Sequence, residues 1–293
     1  MTRRIPTLLI FCLLNTSFLA GQSNAAVTHK SSDNYWTRGT NAWRANYKME
    51  TPPPSPLVTE NVFDGFWYLG VGAGRSFYQM DSDNYINPGP GWPNDHYYKN
   101  SIHDSSFVEA NAGYSWVRFN DWFPAVSLGL RYDYSMNGKV SGNINQYNLG
   151  QFRNYSYSYK FNRQTLLGMF KLDIYKYNCF MPFVLVGAGM SYNKGSNYVE
   201  QPLANVTPRI SPGYSSNSTY NFSYIVGAGI DYAFRDDIWA TLEYNYGDFG
   251  NVRTGNGQVV PSIPGIDYST QHLTNKIKAN TLLLSFTYLL NYV

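Results

Sequence analysis

The sequence has little of what builds most enzyme centres and most disulfide-stapled secreted folds. Its 293 residues include two cysteines and four histidines. Cys12 lies in an N-terminal stretch expected to be removed, which leaves Cys179 as a single thiol. One thiol excludes an intramolecular disulfide and any zinc cluster built on cysteine. Only 14% of residues are charged, and the formal charge of +3 falls to +1 without Arg3 and Arg4. That balance gives no electrostatic basis for nucleic-acid binding. After residue 20 no run of about 18 apolar residues occurs, so no membrane-spanning helix is expected. The strings "GVGAG" and "VGAGMSY" share letters with nucleotide-binding loops. They lie inside alternating stretches and do not open a helix, so the match is false in context. No cofactor, metal site or catalytic residue is assigned.

What is abundant is aromatic: 17% of residues, with 27 tyrosines. The first 25 residues read as a signal peptide. Arg3 and Arg4 form its basic start, Ile5 to Ala20 its apolar centre, and Ser23 with Ala25 its small-residue cleavage site, with cleavage after Ala26 as the alternative. Gln22 stands where a lipoprotein signal needs cysteine. Residues 26–63 are polar, without a clear period, and contain the spacer-like "TPPPSP" at 51–56. They are read as an N-terminal extension, and the main domain spans 64–293.

From Phe66 onward, alternate positions are apolar. In "FWYLGVGAGRSF" (66–77), Trp67, Leu69, Val71 and Ala73 face one way, while Tyr68, Gly70, Gly72, Gly74 and Ser76 face the other. A period of two means strand, because successive side chains point to opposite faces. The same alternation recurs at 108–116, 126–134, 166–174, 184–192, 224–232, 238–246 and 282–290. That makes eight segments of around ten residues, the length a tilted strand needs to cross a bilayer. Connections at 119–123, 175–181 and 234–238 are tight. Those near 79–105, 137–158, 193–219 and 250–275 are long and polar, and are expected to be loops. Short turns at one end and long loops at the other mark an up-and-down barrel. With lipid outside, the outer face must be apolar and the wall must close, since an open edge leaves backbone groups unpaired in hydrocarbon. Inward glycines then make room for larger side chains from other strands. The fold class expected is all-β: an eight-stranded antiparallel transmembrane barrel with short periplasmic turns and long extracellular loops, in a Gram-negative outer membrane.

Three stretches, "WYLGVGAGRSF", "PFVLVGAGMSY" (182–192) and "YIVGAGIDYAFRDDIWATLEYNYGDFG" (224–250), carry a family resemblance. In their order and spacing the chain resembles the OmpA transmembrane-domain and opacity-protein type of eight-stranded outer-membrane barrel, from about Asp64 onward. That resemblance implies contact with outer-membrane lipid and recognition of the last strand by the barrel-assembly machinery. The family usually ends on an aromatic residue; here Tyr292 keeps the parity of Leu290 and Tyr288, with Val293 beyond it. No peptidoglycan-binding domain is expected after the barrel.

Seven charged residues share the expected lumen parity: Glu109, Arg131, Asp133, Lys171, Asp173, Asp231 and Glu243. Buried charges must be paired, so they are read as an ion-pair network filling the barrel. The alternative is a polar path for ions or small solutes. His103 and Ser105 are expected to share a face near the outer rim, with His272 on the same side. A His with a nearby Ser there is similar to the arrangement in small-barrel lipid A deacylases, the remote enzymatic reading. The Tyr-, Ser- and Asn-rich stretches "NYSYSYKFN" (154–162) and "GYSSNSTYNFSY" (213–224) suit adaptable binding surfaces. The favoured function is therefore a non-enzymatic surface protein binding an extracellular ligand or host surface through its loops. A narrow porin-like channel is the alternative.

Overall fold

The structure, a computed structural model, describes residues 64–290 except positions 82, 118–120 and 236. The signal peptide, the 26–63 extension, the Tyr292 terminus and the start of the 119–123 turn lie outside the described residues. The strands are β1 (Asp64–Asp81), β2 (Asp83–Ile86), β3 (Asp95–His103), β4 (Ser105–Val117) and β5 (Ala125–Asn145). They continue with β6 (Arg153–Asp173), β7 (Phe180–Pro202), β8 (Asn217–Ala233), β9 (Ile238–Arg253) and β10 (Thr274–Leu290).

Eight of these close a ring. β1 pairs with β4, each strand from β4 to β9 pairs with the next, and β10 returns to β1, all antiparallel. β3 lies in line with β4, because both pair along β5. The second wall strand is thus one long strand broken at Asp104, and β2 folds back on β3. Closure satisfies the ladder of every wall strand, which is what hydrocarbon demands.

The facing of the strands follows the alternation. Leu130 is 60% exposed and its neighbour Arg131 only 3%. Trp67, Leu69 and Val71 are exposed on the outer wall, as are Val186, Ile230, Leu242 and Phe286. Inward glycines sit under large side chains. A Cβ on Gly113 or Gly129 would come within 2.5 Å of the Tyr68 hydroxyl, and one on Gly229 within 2.5 Å of the Phe183 ring. Narrowness inside the ring therefore explains the glycine repeat.

The long connections depart from expectation. Residues 137–145, 153–158 and 193–202 are strand, and the connection between β5 and β6 shrinks to residues 146–152. The cause is a reversal of sides. Along β6 the outward positions Leu166 and Phe170 are exposed and apolar, and the inward Lys171 and Asp173 are charged. Toward the other end of the same strand, Tyr155, Tyr157, Tyr159 and Phe161 point inward and are buried, while Ser156, Ser158 and Lys160 point out. Where lipid gives way to water, the apolar face must turn inward. The inner aromatics join Tyr97, Val140, Ile144, Tyr214, Val252, Tyr268 and Leu273 in one core. This upper storey, the crown, is an ordinary water-soluble core on top of an inverted one.

Candidate functional site

The lumen is built by alternate positions of the lower strands. Arg131 on β5 donates from Nε to Asp133 at 2.9 Å and from Nη1 to Glu243 of β9 at 2.5 Å. Its Nη2 lies 3.3 Å from Glu109 of β4. Lys171 of β6 lies 3.5 Å from Asp173 and bonds Asp231 of β8. Asp231 also accepts from Thr241 at 2.6 Å. The seven residues thus form two clusters, each with one cation facing more than one carboxylate. All except Lys171 are nearly sealed from solvent. A cavity of about 70 Å³ beside them, lined by Tyr68, Glu109, Arg131 and Lys171 among others, has room for a few waters.

Buried apolar side chains lie on both sides of that cavity along the strands. At the short-turn end Phe66, Val117, Met181, Trp239 and Leu289 form an apolar plug, with Phe66 and Trp239 edge to face at 6.0 Å. Toward the crown, Phe107, Leu167 and Phe249 are buried. Arg163 is fully buried beside them, its guanidinium 3.7 Å from the Phe249 ring centroid. Sequence reasoning missed Arg163 because the β6 alternation was followed only from Leu166. Extending its parity by two steps would have found it.

The histidine and serine do not form the expected pair. The break at Asp104 reverses the side-chain parity between β3 and β4. Ser105 is buried, donating to the Tyr78 hydroxyl at 3.1 Å and sharing a bond with Ser135 at 2.6 Å. His103 is exposed and stands opposite Lys139. His272 lies against Arg253, and burial with that guanidinium lowers its pKa. A nucleophile and its base must touch, so the His103–Ser105 pairing is discarded. Among the described residues, no grouping of three His, Cys, Asp or Glu side chains could hold a metal.

The Tyr-rich stretches are also placed differently from expectation. Tyr155, Tyr157, Tyr159 and Tyr214 are buried in the crown and present no binding surface. Tyr220 and Phe222 project from the outer wall at 72% and 70% exposure. The exposed surface at the mouth comes from residues that composition did not single out. Pro88, Trp92, Tyr147, Arg209, Ile210 and Ile263 help line a pocket of about 190 Å³ where all four long connections meet. At its base Arg209 donates to Asp95 at 2.7 Å and to Glu200 at 2.6 Å, and those partners hold it firmly protonated despite its burial. Backbone bonds tie the connections together: Asp267 N–H donates to the Pro88 carbonyl at 2.7 Å and Gln258 N–H to the Pro212 carbonyl at 2.8 Å.

A protein-family model described as the OmpA-like transmembrane domain matches residues 64–263. No curated protein matches the chain. Among solved structures, Neisserial surface protein A aligns at 10% identity over 77% of this chain and 98% of its own, with a TM-score of 0.42. The outer membrane protein OprG from Pseudomonas aeruginosa aligns at 13% identity over 78% and 97%, also at 0.42. Ail, the attachment invasion locus protein of Yersinia pestis, in complex with the heparin analogue sucrose octasulfate, aligns at 14% identity over 77% and 98%, at 0.33.

Proposed function

The chain belongs to the OmpA-like transmembrane-domain family and is an integral protein of the Gram-negative outer membrane; from that premise we propose that it is a non-enzymatic surface-binding protein whose contact site is the mouth of the crown. The observation that carries this reading is the convergence of four connections, fixed by hydrogen bonds between them, around exposed apolar side chains. Trp92, Ile210, Val259 and Ile263 are all exposed there. Exposed apolar groups on a rigid support are what a binding site needs, because little order is lost on contact. The separation of His103 from Ser105 removes the one nucleophile–base pair that suggested catalysis. The buried apolar side chains on both sides of the lumen cavity argue against steady conduction.

Two measurements test the proposal. Cells displaying the protein are applied to arrays of immobilised extracellular-matrix proteins and glycans, beside cells displaying Trp92→Ala/Ile263→Ala at equal surface level. Loss of a wild-type signal in the double variant supports the mouth as the contact site; an unchanged signal refutes it. The second is current across a planar bilayer holding the refolded protein. Stable, salt-dependent steps that change on neutralising Arg131 or Lys171 would replace this reading with a channel.

A further inference from the structure

On the outer wall just above the aromatic belt, basic side chains gather without acids to balance them. Lys139 of β5 stands directly opposite Lys160 of β6, and on its other side Lys139 faces His103 of β3. Lys194 of β7, opposite Asn162, lies diagonally beside Lys160. All three lysines point outward, since their chain neighbours Gly138, Val140, Tyr159, Phe161, Asn193 and Gly195 are buried. Among the described residues, no carboxylate forms an ion pair with any of the three. Asp104, next in the chain after His103, is 3.7 Å from Arg75.

Like charges directly opposite on neighbouring strands are destabilising. The chain nevertheless builds this pair, and does so with bulges. The β5–β6 register shifts between Ser135 and Gly138, with Asn137 at φ +60°, and the β6–β7 register shifts between Ser158 and Lys160. Bulges re-aim the side chains that follow them. The position matters as much as the charge. Tyr134, Gln164, Tyr192 and Tyr220 form one row on the same outer face. The lysines stand two to five residues beyond that row, about 7–16 Å along the strand. A strand tilt of about 40° shortens this to roughly 5–13 Å above the interfacial aromatics, a height that takes in the polar headgroup layer.

We propose that Lys139, Lys160 and Lys194 form a docking site for the phosphate groups of an anionic lipid in the outer leaflet. A lysine is a compact, mobile cation suited to phosphate. Phosphates lying between the strands relieve the repulsion that the register imposes. The site fixes one lipid species against the β5–β7 wall, on a different face from the crown mouth.

The test uses the full-length protein in phosphatidylcholine vesicles containing either bisphosphorylated lipid A or its enzymatically dephosphorylated form. Lipids retained after gentle detergent extraction are counted by native mass spectrometry. Wild type should retain the bisphosphorylated form preferentially. The triple variant Lys139→Gln/Lys160→Gln/Lys194→Gln should lose that preference. At about fivefold per lysine near an anionic surface, the affinity falls on the order of 100-fold. Removal of charge at the far end of the barrel, in Lys176→Gln/Arg235→Gln, should leave retention unchanged. Strand-dominated circular dichroism and heat-modifiable gel mobility verify folding. If the triple variant fails to fold, Lys160→Gln alone and the comparison of the two lipids on wild type still decide. Equal retention by wild type and folded variant overturns the proposal, as does equal retention of the dephosphorylated lipid. Displacement by equimolar inorganic phosphate would also overturn it, in favour of a free-anion site.

Discussion

Replacing Arg131 with Met tests whether the lumen is a dry, paired network. The guanidinium is 3% exposed and holds three carboxylates at 2.5, 2.9 and 3.3 Å. Methionine fills much of the same volume but leaves Asp133, Glu109 and Glu243 facing each other with no cation between them. Removing one partner of a buried ion pair costs about 3–5 kcal/mol. Total stability of a folded domain is about 5–15 kcal/mol, so the loss consumes a large part of it. The assay is urea unfolding in lipid vesicles, followed by tryptophan fluorescence and by gel mobility of unheated samples. Adding Glu109→Gln and Glu243→Gln to the variant should recover at least half of the loss, because two of the three carboxylates left without a cation are then neutral. A variant within about 1 kcal/mol of wild type would mean that water screens the network. The plugged-lumen argument would then fall.

Three other outcomes follow from the same geometry. Leu128→Arg, on the lipid side of β5 and 48% exposed, should cost about 2–4 kcal/mol, whereas Leu149→Arg, exposed in the crown, should stay within about 0.5 kcal/mol; equal effects in vesicle unfolding would refute the membrane boundary. Gly74→Ala should destabilise by about 1–3 kcal/mol, because its Cβ would lie 2.3 Å from the Leu282 carbonyl oxygen and 2.6 Å from the Phe107 ring; a neutral result in the same assay would mean that the wall shifts freely there. Burial pushes the phenols of Tyr97 and Tyr198 above the usual range and that of Tyr268 up to about 12. The unfolded chain, near 10, releases those protons first, so their contribution to stability is complete below about pH 10 and is lost as the pH rises through about 12. Ultraviolet titration should therefore show a late tyrosinate fraction that coincides with loss of crown structure, and a single ordinary transition would contradict the buried assignment.

The membrane zone was legible because one rule governs it: apolar residues outside, small or charged residues inside, with a period of two. Eight segments and their facing could be read from that alternation. The crown was not legible by the same rule, because "NYSYSYKFN" alternates with the opposite polarity. Tyr155, Tyr157 and Tyr159 keep the parity of Lys171 and Asp173, yet they are apolar where those are charged. Read for composition, the stretch looked like a loop; read for parity alone, it continues β6. The lumen charges were identifiable singly, but which acid meets Arg131 depends on barrel closure, which brings β9 across to β5. The His103–Ser105 expectation failed at Asp104, where one break in pairing turns the chain over, and no local residue pattern announced it.

The reversal of sides along β6 also works as a depth gauge. Leu166 and Phe170 need oil outside them, while Lys160, only six positions from Leu166, needs water. Sliding the barrel outward by one pair of residues, about 7 Å along the strand, would bring Leu166, Met190 and Phe222 into water. Sliding it inward by the same step would carry Lys194 toward hydrocarbon, with Lys160 close behind. A simple apolar cylinder can bob or tilt to suit a thinner or thicker bilayer, at a cost of fractions of a kcal/mol per Å. This one has a fixed waterline, so membranes of different thickness must deform to meet it, and its crown stands at a constant height above the cell surface.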